Sequence, residues 1–509
     1  MPVLTRSRVK LLRSAQLVAQ DLVQHRVQQC QIIETSVDFD SLLQQALSED
    51  AARAAQDDDD DADGWEVETR EEEAAHSPAD PAPTPTPAAE VRSSAFTAKR
   101  SASSPPPLSV SESSSTPPFR KKARRGKKNP EKKQSDARME RSRQGKEAKA
   151  AKKKAGASSL NHQPSRHALG KRTELDVVDT GCDHEPTLHV SKQGFIGRRQ
   201  GVVEAFSTVE AYIEAGYERV SWDGSTTHGL AGFGKRVFGL MVGRPGEPTY
   251  MESVRRLATA ITTAKDKMGF GNRQDRRGTF STIAYGISYG GGQKRPGNLR
   301  HSAQNIRAME ELLANPDMQR QASYAKSMFA TYFPDLYDEY VQTLESLHED
   351  NPLLRPLFDG CAWPAVSVNF PPNSFSHIHT DAGNKANGLC PIFSLGDFDH
   401  TKGGHLVLPD LKLIIEFPAG CIIFIPSATL RHGNIPVRPG EFRTSWTLYA
   451  AGGLFRWAHY GFQTWATWSA KNSKNTEILD ADKKAQGERW CRALEMFPTV
   501  DNLRARADR

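Results

Sequence analysis

Seven short β-rich runs, separated by turn residues, restrict the possible folds of this chain more than any other feature. The runs cover residues 366–370, 376–381, 391–395, 405–408, 411–417, 421–425 and 442–449. Short strands at this spacing predict a sandwich or jelly roll rather than a parallel sheet. The tetrapeptide Phe417-Pro418-Ala419-Gly420 has Pro second and Gly fourth, which predicts a turn between two of the strands.

Helical patterns precede the strands. Residues 251–268 and 303–313 have helical composition, and four apolar residues repeat at helical spacing further along, namely Leu336, Tyr340, Leu344 and Leu347. A stripe of this kind predicts a helix packed against a sheet. The chain is therefore predicted to be α+β, with a double-stranded β-helix (jelly roll) as a catalytic core that helices buttress.

A His-x-Asp pair lies in the second β-rich run. In an extended strand, residues i and i+2 face the same side about 6.6 Å apart, so His379 and Asp381 can converge on one metal ion. His377 shares that side but would lie roughly 13 Å from Asp381 along a strand, which is too far for a common ion. We therefore predict that His377 is not a ligand.

A third ligand and a cation follow on later strands. His432 comes before the last β-rich run, and Arg443 and Ser445 alternate within that run. Two histidines and one carboxylate leave one side of an iron open, as Fe(II) oxygenases require. The guanidinium of Arg443 can hold the distal carboxylate of 2-oxoglutarate bidentately, and Ser445 can donate a further hydrogen bond. His379, Asp381 and His432 are thus the predicted catalytic metal ligands.

Two other histidines compete for the third position. His400 and His405 follow Asp381 more closely than His432 does and flank the turn Gly403-Gly404. Residues beside a glycine pair are typical of loops and strand starts. We therefore predict no metal role for either of them.

The motif formed by His379-Thr380-Asp381-Ala382-Gly383-Asn384, then His432, then the run from Arg443 to Tyr449 resembles the TET/JBP family of Fe(II)/2-oxoglutarate nucleobase dioxygenases, in particular its transposon-associated fungal branch. The resemblance covers roughly residues 190 to 470. It implies that His379, Asp381 and His432 bind iron and that Arg443 and Ser445 bind 2-oxoglutarate.

The resemblance also implies two contacts to a base flipped out of DNA: a polar contact from Asn384 and stacking on Tyr449. Animal members of the family have a His two positions beyond that Tyr, and Ala451 stands there in this chain. The identity of the base is therefore open. From the residues alone, Asn384 could equally be a turn residue, and Tyr449 could be a residue packed in the wall of a barrel. In that case Phe375 or Trp457 is the alternative aromatic on which the base would stack.

Composition divides the chain outside this region. Residues 1–50 are predicted to be a helix-prone segment that binds a partner, and a mitochondrial presequence is the alternative. Residues 51–171 are predicted to be disordered, because their acidic, Pro-rich and Ser-rich tracts cannot bury a core. Residues 172–470 form the predicted dioxygenase domain, and residues 471–509 a helical C-terminal tail.

A basic arm lies within the region that is predicted to be disordered. Residues 120–154 contain seventeen Lys or Arg and four Asp or Glu, a net charge of +13 in a chain whose total is +6. Such an arm is typical of nuclear-import and nucleic-acid-binding segments. We therefore predict a nuclear protein whose partners are DNA and the import machinery, with no membrane span. Scattered cysteines without a C-x-x-C pair favour a reducing compartment.

These observations together predict an Fe(II)-, 2-oxoglutarate- and O₂-dependent dioxygenase that oxidises a methylated DNA base. The predicted substrate is 5-methylcytosine, and N6-methyladenine and thymine are the alternatives. Two alternatives from other classes stay open. A protein hydroxylase would share the iron motif without needing the basic arm. A non-catalytic DNA-binding accessory of a mobile element would need the arm without the complete ligand set.

Overall fold

The computed structural model describes residues 141–144 and 159–505, except 161, 184–188, 202, 271–277 and 279. The predicted helix in residues 1–50 and nearly all of the basic arm lie outside the described residues. Among the described residues, no helix has both the length and the apolar composition that a bilayer span needs.

The strands of the described residues form two sheets. In chain order the strands are β1 (Asp176–Asp179), β2 (Glu218–Val220), β3 (His228–Gly232), β4 (Arg236–Val242), β5 (Thr282–Ser288), β6 (Gly297–Asn298), β7 (Ala365–Asn369), β8 (Cys390–Asp397), β9 (Leu406–Leu408), β10 (Leu413–Ile415), β11 (Ile422–Ile425), β12 (Gly433–Asn434) and β13 (Phe442–Tyr449). The larger sheet has the order β1-β3-β4-β11-β8-β13-β7-β5-β6 and the smaller one β12-β9-β10-β2. Pairing is antiparallel except between β1 and β3 and between β2 and β10.

Strand β13 lies in the middle of the larger sheet, between β7 and β8. Because side chains alternate along a strand, Arg443, Ser445, Thr447 and Tyr449 point to one side, and these four line a cavity. Trp446 points to the other side, where its ring stacks on Phe393 with 3.7 Å between ring centroids. One side of β13 therefore faces the cavity, and the other side faces the hydrophobic core.

Most of the predicted strands are present with shifted ends. The last run, residues 442–449, coincides with β13, and the predicted turn connects β10 to β11 with Gly420 at φ 85°. Residues 376–381 were predicted as a strand, and this is wrong. His379 forms a single bridge to His432, and the residues around it have irregular backbone.

Among the described residues from 159 onward, the α-helices are α1 (Arg166–Thr173), α2 (Val209–Glu214), α3 (Thr249–Asp266), α4 (Ala303–Leu313), α5 (Pro316–Tyr332), α6 (Pro334–Asp350), α7 (Gly452–His459), α8 (Trp465–Lys471), α9 (Thr476–Glu495) and α10 (Val500–Ala505). Polar caps fix several of their starts. Asn315 accepts a hydrogen bond from the Asp317 amide ahead of α5, and Ser302 accepts one from the Asn305 amide at α4. The predicted helices correspond to α3 and α4, and the predicted stripe is buried on α6.

Helix α5 joins the helical layer to the larger sheet. Phe329 stacks on Trp363 at 5.1 Å and lies 6.2 Å from the ring of Phe424 on β11. About two turns earlier, the Gln321 side-chain oxygen accepts a hydrogen bond of 3.3 Å from the indole of Trp446. This aromatic layer supports the side of the sheet that is opposite the cavity.

Folded structure is present before the predicted domain boundary at residue 172. Ser165 caps α1, whose Arg172 donates to the Thr331 carbonyl of α5. The Lys326 ammonium donates to the Ser159 carbonyl at 2.8 Å. The predicted disordered region therefore extends too far at its C-terminal end, because long-range polar contacts to α5 hold residues that composition alone assigned to it.

The predicted C-terminal tail packs into the same core as the sheets. Trp490 and Leu494 of α9 are buried. The Asn387 amide donates to the Ala493 carbonyl at 2.9 Å, and Arg236 on β4 donates to the carbonyls of Leu494 and Phe497. Helices α9 and α10 lie in this segment, and the segment is a part of the folded domain.

We expect Trp446→Ala to lower the free energy of unfolding by about 3–5 kcal/mol, because it removes a buried ring and its stacking on Phe393. Phe233→Ala is the control, since Phe233 is 79% exposed and should change stability by less than about 0.5 kcal/mol. Urea titration followed by circular dichroism measures both. Equal effects of the two substitutions would contradict this packing.

Candidate metal centre and co-substrate pocket

His379, Asp381 and His432 come together as a group of three possible metal ligands. Their ligand atoms all lie within 4.8 Å of one another. The Asp381 carboxylate is 3.7 Å from the Nε2 atom of His379 and 3.8 Å from that of His432. This spacing suits an ion held about 2 Å from each ligand atom.

Backbone carbonyls orient both imidazoles. The Nδ1 atom of His379 is 2.7 Å from the His377 carbonyl oxygen, and the Nδ1 atom of His432 is 3.0 Å from the Leu430 carbonyl oxygen. A carbonyl accepts, so each Nδ1 must carry the proton and each Nε2 keeps a lone pair. Both lone pairs are on the Asp381 side, as metal ligation requires.

Main-chain pairing brings the three residues together, although they do not share a strand. His379 and His432 exchange two backbone hydrogen bonds, each of 2.9 Å, and the Asp381 amide donates to the Ser427 carbonyl at 2.9 Å. Residues 379–381 therefore do not form the strand on which the period-two argument rested, although the structure brings the side chains of His379 and Asp381 together.

A cavity of about 690 Å³, including the space at its mouth, contains all three of these side chains. Residues of both sheets line it: Ser367, Asn369, Cys390, Ile392, Leu406, Gly433 and Asn434 in addition to the inward side of β13. The triad side chains are only 8–14% exposed. Any group bound beside an ion here would be largely removed from water.

Arg443 lies in the same cavity wall and is 3% exposed. It donates to the carbonyl and hydroxyl oxygens of Ser374 at 2.8 and 3.2 Å, and its Nε has no hydrogen-bond partner among the described residues. Burial lowers the pKa of Arg443 to about 10. A buried guanidinium with an unused donor is a site for an anion, and a carboxylate matches its geometry.

Ser445 is held within a polar network beside Arg443. Its hydroxyl accepts from the Asn369 amide at 3.0 Å and is 3.4 Å from the Ser374 hydroxyl. Asn369 and Ser374 are positioning residues that the sequence analysis missed. Asn369 could have been found, because Ser367 and Asn369 are polar at period two in β7, which is otherwise apolar. Ser374 lies in irregular backbone and gave no signal.

The two residues that the family resemblance assigned to the base also line the cavity. Asn384 is 2% exposed and Tyr449 is 4% exposed. Ala451, two positions beyond Tyr449, forms a backbone bridge with Asn384. The alternative aromatics lie elsewhere: Phe375 contacts His377, and Trp457 contacts Tyr289.

The remaining histidines of the region do not join the metal group. The ring of His400 is 4.0 Å from the Glu416 carboxylate. His405 is fully buried, and burial lowers its pKa to about 4. His377 contributes its backbone carbonyl to the orientation of His379. The structure thus brings together His379, Asp381 and His432, which were predicted as ligands. It leaves the other three histidines of this region outside the group.

The chain matches no protein-family model, and no curated protein matches it by sequence. Among solved structures it is similar to NgTET1 in complex with 5mC DNA, at 14% identity and a TM-score of 0.33, over 48% of this chain and 87% of that chain. It is also similar to a 2OG-Fe(II) oxygenase family protein from Burkholderia pseudomallei, at 16% identity and a TM-score of 0.24, over 42% and 85%.

A third similar structure is the viral collagen prolyl hydroxylase of Paramecium Bursaria Chlorella virus-1 in its 2OG complex, at 20% identity and a TM-score of 0.15, over 18% of this chain and 59% of that chain. A TET protein is among these neighbours. All three TM-scores are below 0.5, so the roles of individual residues rest on the geometry of the site.

We expect His379→Ala and His432→Ala each to lower bound iron at least tenfold after anaerobic loading and desalting, since even changes behind a metal ligand cost about 10–100-fold in affinity. His400→Ala is the matched control, because His400 is outside the metal group, and it should keep full iron content. Metal analysis measures all three. Normal iron content in His432→Ala would show that another residue is the ligand.

Arg443→Lys keeps the positive charge and loses the forked guanidinium, so we expect at least a tenfold weaker affinity for 2-oxoglutarate. Arg438→Lys, an exposed residue paired with Glu441, is the control and should leave that affinity unchanged. Calorimetric titration of the iron-loaded protein with 2-oxoglutarate under anaerobic conditions measures both. An unchanged affinity in Arg443→Lys would mean that another cation binds the co-substrate.

Proposed function

We propose that this protein is an Fe(II)- and 2-oxoglutarate-dependent dioxygenase that oxidises the methyl group of a methylated DNA base, with 5-methylcytosine as the main substrate. One observation carries the proposal: the buried, incompletely satisfied guanidinium of Arg443 shares a cavity with the group formed by His379, Asp381 and His432. A metal triad with an anion site beside it is what this chemistry needs.

We infer that the two sheets form a double-stranded β-helix. Strands β7, β8 and β13 of the larger sheet and β9 and β12 of the smaller one contribute to one cavity. An enclosed space between two sheets is the expected place for the ligands of such a fold. The helices on the opposite side of the larger sheet support it.

Each residue of the site has a defined task in this proposal. The Nε2 atoms of His379 and His432 and the Asp381 carboxylate hold the metal, and Arg443 and Ser445 bind and orient the distal carboxylate of 2-oxoglutarate. When bound, iron, 2-oxoglutarate and O₂ supply the oxidation, in which the co-substrate becomes succinate and CO₂. The low exposure of the triad excludes bulk water from the reacting groups.

A base can enter this cavity only outside a duplex stack. The methyl group of a stacked base cannot reach a metal inside a buried cavity, so the nucleotide must be flipped out, at a cost of a few kcal/mol. Tyr449 is the aromatic of β13 in the cavity wall and offers a surface for stacking. The net charge of +13 in residues 120–154 supports a DNA partner and import into the nucleus.

The proposal is tested with iron-loaded protein, 2-oxoglutarate, air and duplexes that each carry one modified base. Mass spectrometry of the digested nucleosides should show oxidised 5-methylcytosine, with succinate formed in step, and Asp381→Asn should form neither product. Succinate release without any oxidised nucleoside, together with hydroxylation of an added peptide, would point to the protein-hydroxylase alternative.

The same assay examines Tyr449. Stacking on an aromatic contributes about 1–3 kcal/mol per base, so Tyr449→Ala should slow base oxidation by roughly ten- to a hundredfold. Succinate formed in the absence of DNA should continue. Trp457→Ala is the control, because Trp457 contacts Tyr289 and does not line the cavity. A parallel loss of both activities in Tyr449→Ala would make Tyr449 a wall residue.

A further inference from the structure

A short segment that precedes most of the strands in the chain crosses both loops that carry the metal ligands. Residues 189–201, here called the clip, form a tight hairpin in which Val190 bridges Gly197 and the Ser191 amide donates to the Ile196 carbonyl at 2.9 Å. The structure describes every residue of the clip, and none of them lines the cavity. The clip therefore lies outside the metal and co-substrate sites described above.

The clip pairs with the loop that follows Asp381. The Gly197 amide donates to the Ala382 carbonyl at 2.8 Å, and the Ala386 amide donates to the Phe195 carbonyl at 2.9 Å. Ala382 is the next residue after the carboxylate ligand in the chain. A displacement of the clip therefore reaches that ligand through a single peptide unit.

The same segment contacts the loop that leads to His432. The Gln200 side chain donates through Nε2 to the Thr429 carbonyl at 2.7 Å. Gly197 lies directly against Ala428, because a Cβ atom at Gly197 would be only 2.1 Å from the Ala428 carbonyl oxygen. The φ angle of Gly197 is outside the left-handed region, so it is the close approach of two backbones that requires glycine here.

Helix α9 anchors the clip on its other side. The guanidinium carbon of Arg489 is 4.1 Å from the centroid of the Phe195 ring, and Arg489 also donates to the Gln193 carbonyl. Phe195 is buried. A segment that is fixed to a helix on one side and to both ligand loops on the other can hold the two loops at a set separation.

We propose that the clip sets the separation between the Asp381 carboxylate and the His432 imidazole, and thereby the affinity of the site for Fe(II). Gly197 and Gln200 are positioning residues in this assignment, because they contact the backbone of the two ligand loops and not the ligand atoms. The inference rests on the metal site of the function proposed above.

The size of the close contact shows why the metal should respond to it. A Cβ atom at Gly197 would have to move from 2.1 Å to at least 3.0 Å from the Ala428 carbonyl oxygen, so the two backbones must separate by about 0.9 Å. Metal–ligand distances tolerate a deviation of only about 0.2 Å. About a quarter of this separation, passed on to Asp381 or His432, would already reach that tolerance.

The test is Gly197→Ala in the full chain. Competition with a chelator under anaerobic conditions measures the Fe(II) affinity, and Co(II) bound in place of iron reports the ligand geometry through its visible absorption. We expect the Fe(II) affinity to fall about 10–100-fold and the cobalt spectrum to change. Gly201→Ala is the matched control and should leave both unchanged, because a Cβ atom at Gly201 would have no atom within 4 Å.

Urea unfolding of the metal-free proteins separates positioning from a general loss of stability. The affinity of the folded state for a metal does not depend on the free energy of unfolding while nearly all molecules are folded. If Gly197→Ala does not fold, Gln200→Ala takes its place. It removes the hydrogen bond to the Thr429 carbonyl and should weaken Fe(II) binding about threefold or more.

A folded Gly197→Ala variant with the wild-type Fe(II) affinity and cobalt spectrum would overturn the inference and leave the proposed function intact. An equal loss of affinity in Gly201→Ala would do the same, and so would an unchanged affinity in Gln200→Ala where Gly197→Ala is unfolded. If the wild type bound neither Fe(II) nor Co(II), the inference and the proposed function would fail together.

Discussion

The reciprocal pair of backbone hydrogen bonds between His379 and His432 determines the geometry of the whole site. It joins two irregular segments that are 53 residues apart, and it sets the two imidazoles side by side with 4.4 Å between ring centroids. Backbone carbonyls then fix each ring through Nδ1. The ring positions therefore depend on main-chain geometry more than on side-chain packing, which is a rigid way to hold a ligand.

Strand β13 connects the stability of the protein to its chemistry. One side of the strand carries the anion site and the cavity wall, while the other carries Trp446, which stacks on Phe393 and binds Gln321 of α5. The hydrogen bonds that Arg443 donates to the Ser374 carbonyl and hydroxyl oxygens offset part of the desolvation cost of its buried charge, and its Nε has no partner among the described residues. A bound carboxylate would complete the hydrogen bonds of the guanidinium, so co-substrate binding and folding are thermodynamically linked.

The sequence predicted the parts of the site that follow local rules. Alternation within residues 442–449 placed Arg443, Ser445 and Tyr449 on one side of a strand, and the structure agrees. The helical stripe on α6 was found for the same reason. The strand predicted at residues 376–381 failed because side-chain bonds, such as the one from the Ser376 amide to the Asn434 side chain, replace ladder pairing there.

Contacts between distant parts of the chain could not be predicted in this way. Ser427 and Cys390 meet Asn384 only after β8 and β11 have paired, and nothing in their local sequence marks them. The contacts of the residues near α1 also depend on distant partners, since Thr331 and Lys326 of α5 anchor them. Periodicity describes one element at a time, whereas these positions are set by two or three elements together.

The packing of α9 has a consequence for the order in which the protein matures. Asn387, three residues beyond Asn384, is held by the Ala493 carbonyl, and β4 is held through Arg236 by the segment around Phe497. A ribosome delivers residues 379–449 well before residues 490–497, so the cavity exists for a time without its outer support. During that interval an apolar surface that α9 later covers is open to chaperones and to aggregation.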